Sequence, residues 1–317
     1  MRLIILEILA QERRMQSLKV PRKTFSSSRT AKAHLPWTFN RTIRFLIIFL
    51  IFGVVVAFVG LPIVALFWYG TPSGFLSSFS SEMVVEALKL SLVTTLTTLL
   101  IVIAFGTPVA YHNARHSYRG KRIIETLIDL PIVLPPAVAG IALLLAFGRR
   151  GLLGQYFNIL GINIAFTTTA VILAQIFVSS PFYIRQATTS FEDVDPEYER
   201  AAHTLGASSA GTFFRVTAPI ALNGLVSGAL MTWARALGEF GATILFAGNF
   251  QGVTQTMPLA IYSAFGSDLD AAVYIAIILV LISFAVIITV KVLALREKSA
   301  AKDEKTILDQ IEPPAGS

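Results

Sequence analysis

The chain has no cysteine. Disulfides, thiol nucleophiles and thiolate metal sites are therefore excluded. Charge is also scarce: 14% of the 317 residues are Asp, Glu, Lys or Arg, while 54% are hydrophobic. A soluble domain carries about 25% charged residues. This chain cannot cover itself with polar surface, so it reads as a polytopic membrane protein. A phosphate loop of the form Gly-x4-Gly-Lys-Ser/Thr is missing, because Gly120-Lys121-Arg122 has neither the upstream glycine nor the hydroxyl. ATP, if used, must be bound by another chain. His112 and His116 are four apart but no third ligand accompanies them, and His34 and His203 stand alone. No metal site is expected. Only Glu239 and Asp129 offer acids at membrane depth, too few for a membrane-embedded enzyme.

The N-terminus does not read as a secretory signal. Glu7 interrupts the run opened by Leu3, Ile4 and Ile5, and Glu12, Arg13 and Arg14 close it. The segment reads as a tail or short interfacial helix, and Met15 offers an alternative start.

A spanning helix needs about 20 mostly apolar residues, and lipid satisfies no backbone polar group. Six stretches qualify, near 45–69, 84–111, 124–147, 168–190, 221–247 and 272–295. Pro62, Pro108, Pro131, Pro135, Pro136 and Pro181 fall in or near them and should kink them. With six spans, 22 of the 26 Lys and Arg residues lie on one side, ten of them before residue 45, and only Arg149 and Arg150 lie on the other. Cationic loops stay cytoplasmic, so both termini are expected there. The net charge of +7 then records topology and not nucleic-acid binding. The expected organisation is a basic cytoplasmic tail over 1–44, a membrane domain over 45–295 and a cytoplasmic tail over 296–317.

Between the fourth and fifth spans, residues 191–222 form a cytoplasmic loop. Asp195-Pro196-Glu197 reads as a helix start: a capping Asp, Pro at the first helical position and an acid at the positive dipole end. Ala201, Ala202 and Leu205 give a small apolar face, and Gly206-Ala207-Ser208 stops the helix. Phe213, Phe214 and Val216 begin a second helical stretch that Pro219 should interrupt. A short helix with small residues suits a groove on another protein. The bland alternative is a surface helix without a partner.

Glu199-Arg200-Ala201-Ala202-His203-Thr204-Leu205-Gly206, with Pro219 thirteen residues on, resembles the EAA loop of permease subunits of ATP-binding-cassette importers. Ala201, Ala202, Gly206 and Pro219 keep its spacing, while Arg200 stands at the Glu position and Glu199 just before it. Leu134-Pro135-Pro136-Ala137-Val138-Ala139-Gly140, Gly148-Arg149-Arg150-Gly151-Leu152-Leu153-Gly154, Ala234-Arg235-Ala236-Leu237-Gly238-Glu239-Phe240-Gly241-Ala242 and Gln255-Thr256-Met257-Pro258-Leu259-Ala260-Ile261-Tyr262 are similar to permeases of molybdate importers. The Gly-Glu-Phe-Gly-Ala run is shared with sulfate permeases.

The resemblance implies an all-α, six-span permease of the type I importer fold, working as a homodimer in the inner membrane. It implies two copies of an ATPase subunit that carry ATP and Mg, with no cofactor on this chain. It also implies an extracytoplasmic oxyanion-binding protein and transport of molybdate, tungstate or sulfate. Asp195, Glu199, Arg200, Ala201, Ala202, Leu205, Gly206, Ala207, Phe214 and Pro219 would form the ATPase-coupling loop.

Arg235 and Glu239 are four apart, share a helix face and lie within a span, where charges face the bundle interior. They read as a structural ion pair or as gate residues, Arg235 offering a fork of donors to a passing oxyanion. Ser91, Thr94, Thr98 and Thr243 are pathway candidates, although hydroxyls in spans more often bond backbone or a neighbouring helix. Arg149 and Arg150 read as solvated loop charges or as outer contacts for a binding protein. Residues 256–265 read as a re-entrant or interfacial element at the outer mouth, with Thr256 as a helix cap. An ATP-independent secondary transporter remains a second reading, though internal repeats are not evident.

Overall fold

The computed structural model describes residues 41–78 and 80–311. Residues 1–40, most of the expected tail over 1–44, and residues 312–317 of the expected C-terminal tail lie outside the described residues. The chain divides into two units, one ending at Leu61 and the other beginning at Pro62.

The described part of the first unit is helical. It belongs to α1 (Arg41–Tyr69), which continues past Pro62 without a break and is apolar enough to cross a membrane. Leucine, isoleucine, valine and phenylalanine cover all sides of it, the composition of a helix solvated by lipid.

The second unit contains α2 (Pro72–Ser78), α3 (Glu82–Arg115), α4 (Lys121–Val133), α5 (Pro136–Phe147), α6 (Gly154–Ile159), α7 (Thr168–Glu192), α8 (Pro196–Thr204), α9 (Ser209–Leu237), α10 (Gly241–Phe246), α11 (Met257–Phe265) and α12 (Leu269–Ile311). No strand occurs among the described residues. Besides α1, the helices α3, α9 and the Leu269–Thr289 part of α12 are long and apolar enough to span a bilayer, and α4 with α5 would make a fifth crossing. α7 is 25 residues long, about 37 Å at 1.5 Å per residue. It is less apolar because it is shielded: Ala170, Val171, Ala174, Gln175, Val178 and Ser179 are all buried. A helix sheltered by protein needs no lipophilic surface.

α7 packs against both α3 and α9. One core cluster joins α3, α7 and α9 through Val102, Ala110, Tyr183, Ala187 and Ala221. A second joins α5, α7 and α10 through Ala139, Leu143, Ala174, Val178 and Phe246. A third joins α3, α11 and α12 through Val84, Ala87, Ala260, Ala264 and Ile275. Small residues recur because dispersion between closely approached backbones holds helices together where lipid removes the hydrophobic drive.

Three expectations need correction. The stretch 124–147 is not one straight span, because α4 and α5 meet at 116°. Leu134 and Pro135 each precede a proline, which disfavours helical ψ, and their ψ values are 132° and 135°. The stretch 221–247 is also broken: α9 ends at Leu237, and the chain turns through Gly238-Glu239-Phe240 into α10. Pro219, by contrast, interrupts nothing. A π-turn over Phe213–Thr217 precedes it, and the Ala218 N–H donates to Phe213 O, five residues back. The widened turn relieves the clash that a proline ring makes in a regular helix. Helices α1, α3, α4 and α7 run through Pro62, Pro108, Pro131 and Pro181 without a break.

Candidate functional site

α8 begins as its sequence demands. The Asp195 side chain accepts from the Glu197 N–H at 2.9 Å, and Pro196 occupies the first turn. It ends where Gly206 takes φ of +86°, a left-handed value that costs glycine nothing. The Ala207 N–H closes back on Ala202 O at 3.0 Å. Ser208 then caps α9 by accepting from the Gly211 N–H at 3.2 Å.

The two faces of α8 differ. Glu199 points into the protein, where Arg115, at the end of α3, donates from Nη2 at 2.9 Å and from Nε at 3.1 Å. The Thr217 hydroxyl donates to the same Glu199 oxygen at 2.7 Å. The second Arg115 Nη2 contact is Val194 O at 3.0 Å, so one guanidinium holds both the helix and its approach. Partial burial by itself would push the Glu199 carboxyl up. Hydrogen bonds from Thr217 and Arg115, with the Arg115 charge, outweigh it and hold the group below the usual carboxylate range. The Tyr111 ring packs edge-on against Phe191 and Phe213 at 5.5 and 5.1 Å, which seals the cluster.

The outer face of α8 is apolar and open. Leu205 is 88% exposed and Tyr198 57%, and Ala201 lies exposed between them at helical spacing. The Arg200 side chain meets Glu197, at 3.2 Å on the surface. Ala202 is half-buried, and Phe214 and Pro219 are exposed at the π-turn. Beside that turn lies an apolar cavity of about 680 Å³ lined by Thr107, Pro108, Tyr111, Tyr183, Phe213 and Phe214, among others. Sequence reading missed Tyr198, whose i, i+3, i+7 relation to Ala201 and Leu205 was visible. It also missed Arg115, Thr217 and Tyr111, for which no local signal exists.

At the far end of α9, Arg235 Nη1 lies 2.8 Å from Glu239 Oε2. The other Glu239 oxygen accepts from the Ala242 N–H at 2.8 Å, at the start of α10. Glu239 is therefore both an ion-pair partner and a cap, and it is buried, whereas Arg235 is about one-third exposed. α10 lies tightly on α5. A Cβ at Gly140 would sit 2.8 Å from Leu245 Cβ, and one at Gly241 would run into Pro136. The runs around Pro135-Pro136 and Gly238-Glu239 thus meet in space.

The hydroxyls of Ser91, Thr94 and Thr98 on α3 are buried and bonded. Ser91 accepts from the Met257 N–H at 2.7 Å. Thr94 accepts from Gln175 Nε2 at 3.2 Å, and Thr98 donates to Gln175 Oε1 at 3.1 Å. In this conformation they fasten α3 to α7 and α11. Thr243 is buried with its hydroxyl unpaired among the described residues. Thr256 makes no side-chain cap bond to α11, contrary to expectation: the second helical position is Pro258, which has no N–H to donate, and the Met257 N–H goes to Ser91. Arg149 and Arg150 are exposed after α5, and Arg149 borders a cavity with Phe147, Asn163 and Thr167. Among the described residues no cluster of three or more His, Cys, Asp or Glu could hold a metal.

The family described as "Binding-protein-dependent transport system inner membrane component" matches residues 102–298. The "Molybdenum transport system permease protein ModB" of Mycobacterium tuberculosis is 43% identical over 243 residues, 74% of this chain and 89% of that protein. The "Probable transport system permease protein NifC" of Clostridium pasteurianum is 39% identical over 232 residues, covering 73% and 81%. Among solved structures, a bacterial importer of the acidic polysaccharide alginate aligns with a TM-score of 0.62 at 15% identity, covering 80% of this chain and 96% of that one. The methionine importer MetNI, in an inward-facing form, aligns at 0.53 and 17% identity, covering 67% and 95%. These sequence matches place this chain in the family of binding-protein-dependent transport system inner membrane components.

Proposed function

We propose that this chain is the membrane-spanning permease of an ATP-driven molybdate importer and has no catalytic role of its own. The observation that carries the reading is α8: a short helix anchored from within by Glu199 and Arg115, showing Tyr198, Ala201 and Leu205 to the outside. An exposed apolar helix face on a rigid mount is what a groove on a partner requires. The 43% identity to a molybdenum permease supports molybdate as cargo, with tungstate and sulfate as competitors to be tested.

The assembly we infer is a homodimer with two ATPase subunits, which carry ATP and Mg, and an extracytoplasmic oxyanion-binding protein. Among the structural neighbours is an alginate importer in complex with its periplasmic protein, at a TM-score of 0.63 and 16% identity. If α4–α5 is one broken crossing and α7 crosses sheltered by its neighbours, there are six spans. That count places 22 of 26 cations, and both termini, in the cytoplasm. Arg235 offers its free donors to the passing dianion, and Arg149 and Arg150 face the binding protein.

Co-expression with the cognate ATPase tests the coupling role. The pair is expected to co-purify, and oxyanion-loaded binding protein is expected to raise ATP hydrolysis. A chain that transports oxyanion alone, without the ATPase, would establish the secondary-transporter reading instead.

A further inference from the structure

The cavity of about 680 Å³ beside the π-turn is bounded by α3 from Ile103 to Tyr111, by Tyr183 on α7 and by α9 from Phe213 to Ala229. No charged side chain lines it, and its polar side chains are Thr107, Tyr111 and Tyr183. Each of these hydroxyls is already engaged. Thr107 and Tyr183 share a hydrogen bond of 2.6 Å, Thr107 also donates to Ile103 O at 2.6 Å, and Tyr111 donates to Glu199 at 3.4 Å. A polar ligand would find no free side-chain partner, so the cavity suits hydrocarbon.

Its place on the spans says which hydrocarbon. From Ile103 to Tyr111 the wall runs about 12 Å along α3 at 1.5 Å per residue, and it stops one turn before Arg115, where that helix ends. This is close to the ~15 Å depth of hydrocarbon in one leaflet. Phe214 and Leu222 line the cavity and are themselves 72% and 53% exposed, so it opens sideways to the lipid. Phe105 on α3 and Ile220 on α9 continue the exposed apolar surface around it.

The occupant must be narrow. A helix is about 10 Å across and rises about 5.4 Å per turn, so one turn fills about 400 Å³. The cavity would take less than two turns of a docked helix. An apolar cavity of about 150 Å³ accommodates benzene, so one of 680 Å³ admits a long flexible chain. Arg215 follows Phe214 in the π-turn, is exposed, and has no hydrogen-bond or ion-pair partner among the described residues. It lies on the side that carries 22 of the 26 cations in the six-span count, where anionic headgroups attract basic side chains.

We propose that the cavity between α3 and α9 binds an acyl chain of an anionic phospholipid, with Arg215 on its headgroup phosphate. The site goes beyond the importer reading and rests on it only for the side of the membrane on which α8 lies. A void in this position would forfeit dispersion contacts along its whole wall, and the bilayer supplies hydrocarbon to restore them. The Phe213 ring lies 5.1 Å from that of Tyr111, whose hydroxyl reaches Glu199. The chain therefore backs the cluster that holds α8. Being fluid, it fills the space yet yields when α3 and α9 move.

The test places the complete transporter in liposomes of phosphatidylglycerol that carries a photoactivatable diazirine in one acyl chain. Illumination and peptide mapping are expected to find adducts concentrated on residues 103–111 and 213–229. Ala229→Phe fills the cavity and should lower those adducts several-fold with ATPase co-purification unchanged. Arg215→Ala should lower them several-fold with phosphatidylglycerol and leave them unchanged with phosphatidylethanolamine of the same chains, which a loss of folding would not reproduce. Adducts spread evenly over the exposed surfaces of α1 and α3, and unchanged in both variants, would reduce the site to bulk lipid and overturn it. The chain has no cysteine, so Val226→Cys introduces a single thiol. A disulfide-linked dimer on its oxidation would put a second copy over the cavity and overturn the proposal too. Neither result bears on ATP-driven oxyanion uptake by the wild type, whose failure would overturn the importer reading instead.

Discussion

Arg115 and Glu199 are 84 residues apart in sequence and meet at 2.9 Å, which fixes the end of α3 to the middle of α8. With Thr217 on the same carboxylate, the contact gathers three segments: a long transmembrane helix, the exposed loop helix and the π-turn that opens α9. Displacing α8 must then displace α3 and α9 with it. The apolar cavity beside the π-turn leaves room for that movement.

Removing the carboxylate should uncouple the loop. Glu199→Ala strands a guanidinium whose side chain is only 10% exposed, and losing such a charged hydrogen bond costs about 2 kcal/mol. The expected result is a lower melting temperature in detergent and weakened binding-protein stimulation of ATP hydrolysis. Glu199→Gln keeps an acceptor for Arg115 and should retain part of both. Equal stimulation in all three proteins would contradict the lever.

The same carboxyl sets a pH dependence. Its native pKa lies below the usual value of 4.5. A group depressed in the folded state contributes stability that is present above its unfolded pKa and is lost as pH falls through the lower native value. The wild type should lose melting temperature on acidification below about pH 4.5 more steeply than Glu199→Gln. Parallel acid profiles would show that Glu199 is not the group responsible.

Leu205 is 88% exposed, so Leu205→Glu should leave the melting temperature of the isolated permease unchanged. The same change puts charge on the apolar face of α8 and should cut ATPase co-purification about tenfold or more, a cost of ~1.4 kcal/mol or above. Tyr198→Ala should act in the same direction.

Arg235 and Glu239 should separate by variant. Arg235→Ala leaves the Ala242 cap bond in place and should reduce uptake with assembly preserved. Glu239→Ala removes the ion pair and the cap together and should lower the yield of folded protein. Uptake at the wild-type rate in Arg235→Ala would remove this residue from the pathway.

The contact between α5 and α10 gives a stability test. Gly140→Leu pushes side-chain atoms into Leu245 and the Ala242 carbonyl. Overpacking of this kind costs about 1–3 kcal/mol. The melting temperature should fall several degrees, a shift that thermal unfolding in detergent reads directly.

What sequence reading recovered was local. The Asp195 cap, the Pro196 start and the Gly206 stop of α8 each depend on a few adjacent residues, and all stand where they were expected. The break at Leu134-Pro135-Pro136 was visible as prolines. Its 116° angle was not, because the prolines mark where the helix breaks and not the direction in which α5 leaves. Pro219 was misread because a π-turn has no periodicity to announce it. Thr256 has a capping residue's position but lacks the bond: Pro258 offers it no N–H, and the Met257 N–H goes to Ser91, 166 residues away. The Glu199 partners were hidden for the same reason: the loop alone gives no means of choosing Arg115 from among four neighbouring cations.

The most direct test of the account is molybdate uptake into vesicles containing this chain, its ATPase and its binding protein, with ATP supplied on the ATPase side and tungstate or sulfate as competitor. The account predicts uptake that requires ATP, the ATPase and the binding protein together, and that tungstate suppresses while sulfate does not. Uptake that persists without the ATPase, or an oxyanion gradient that ATP never builds, would contradict it.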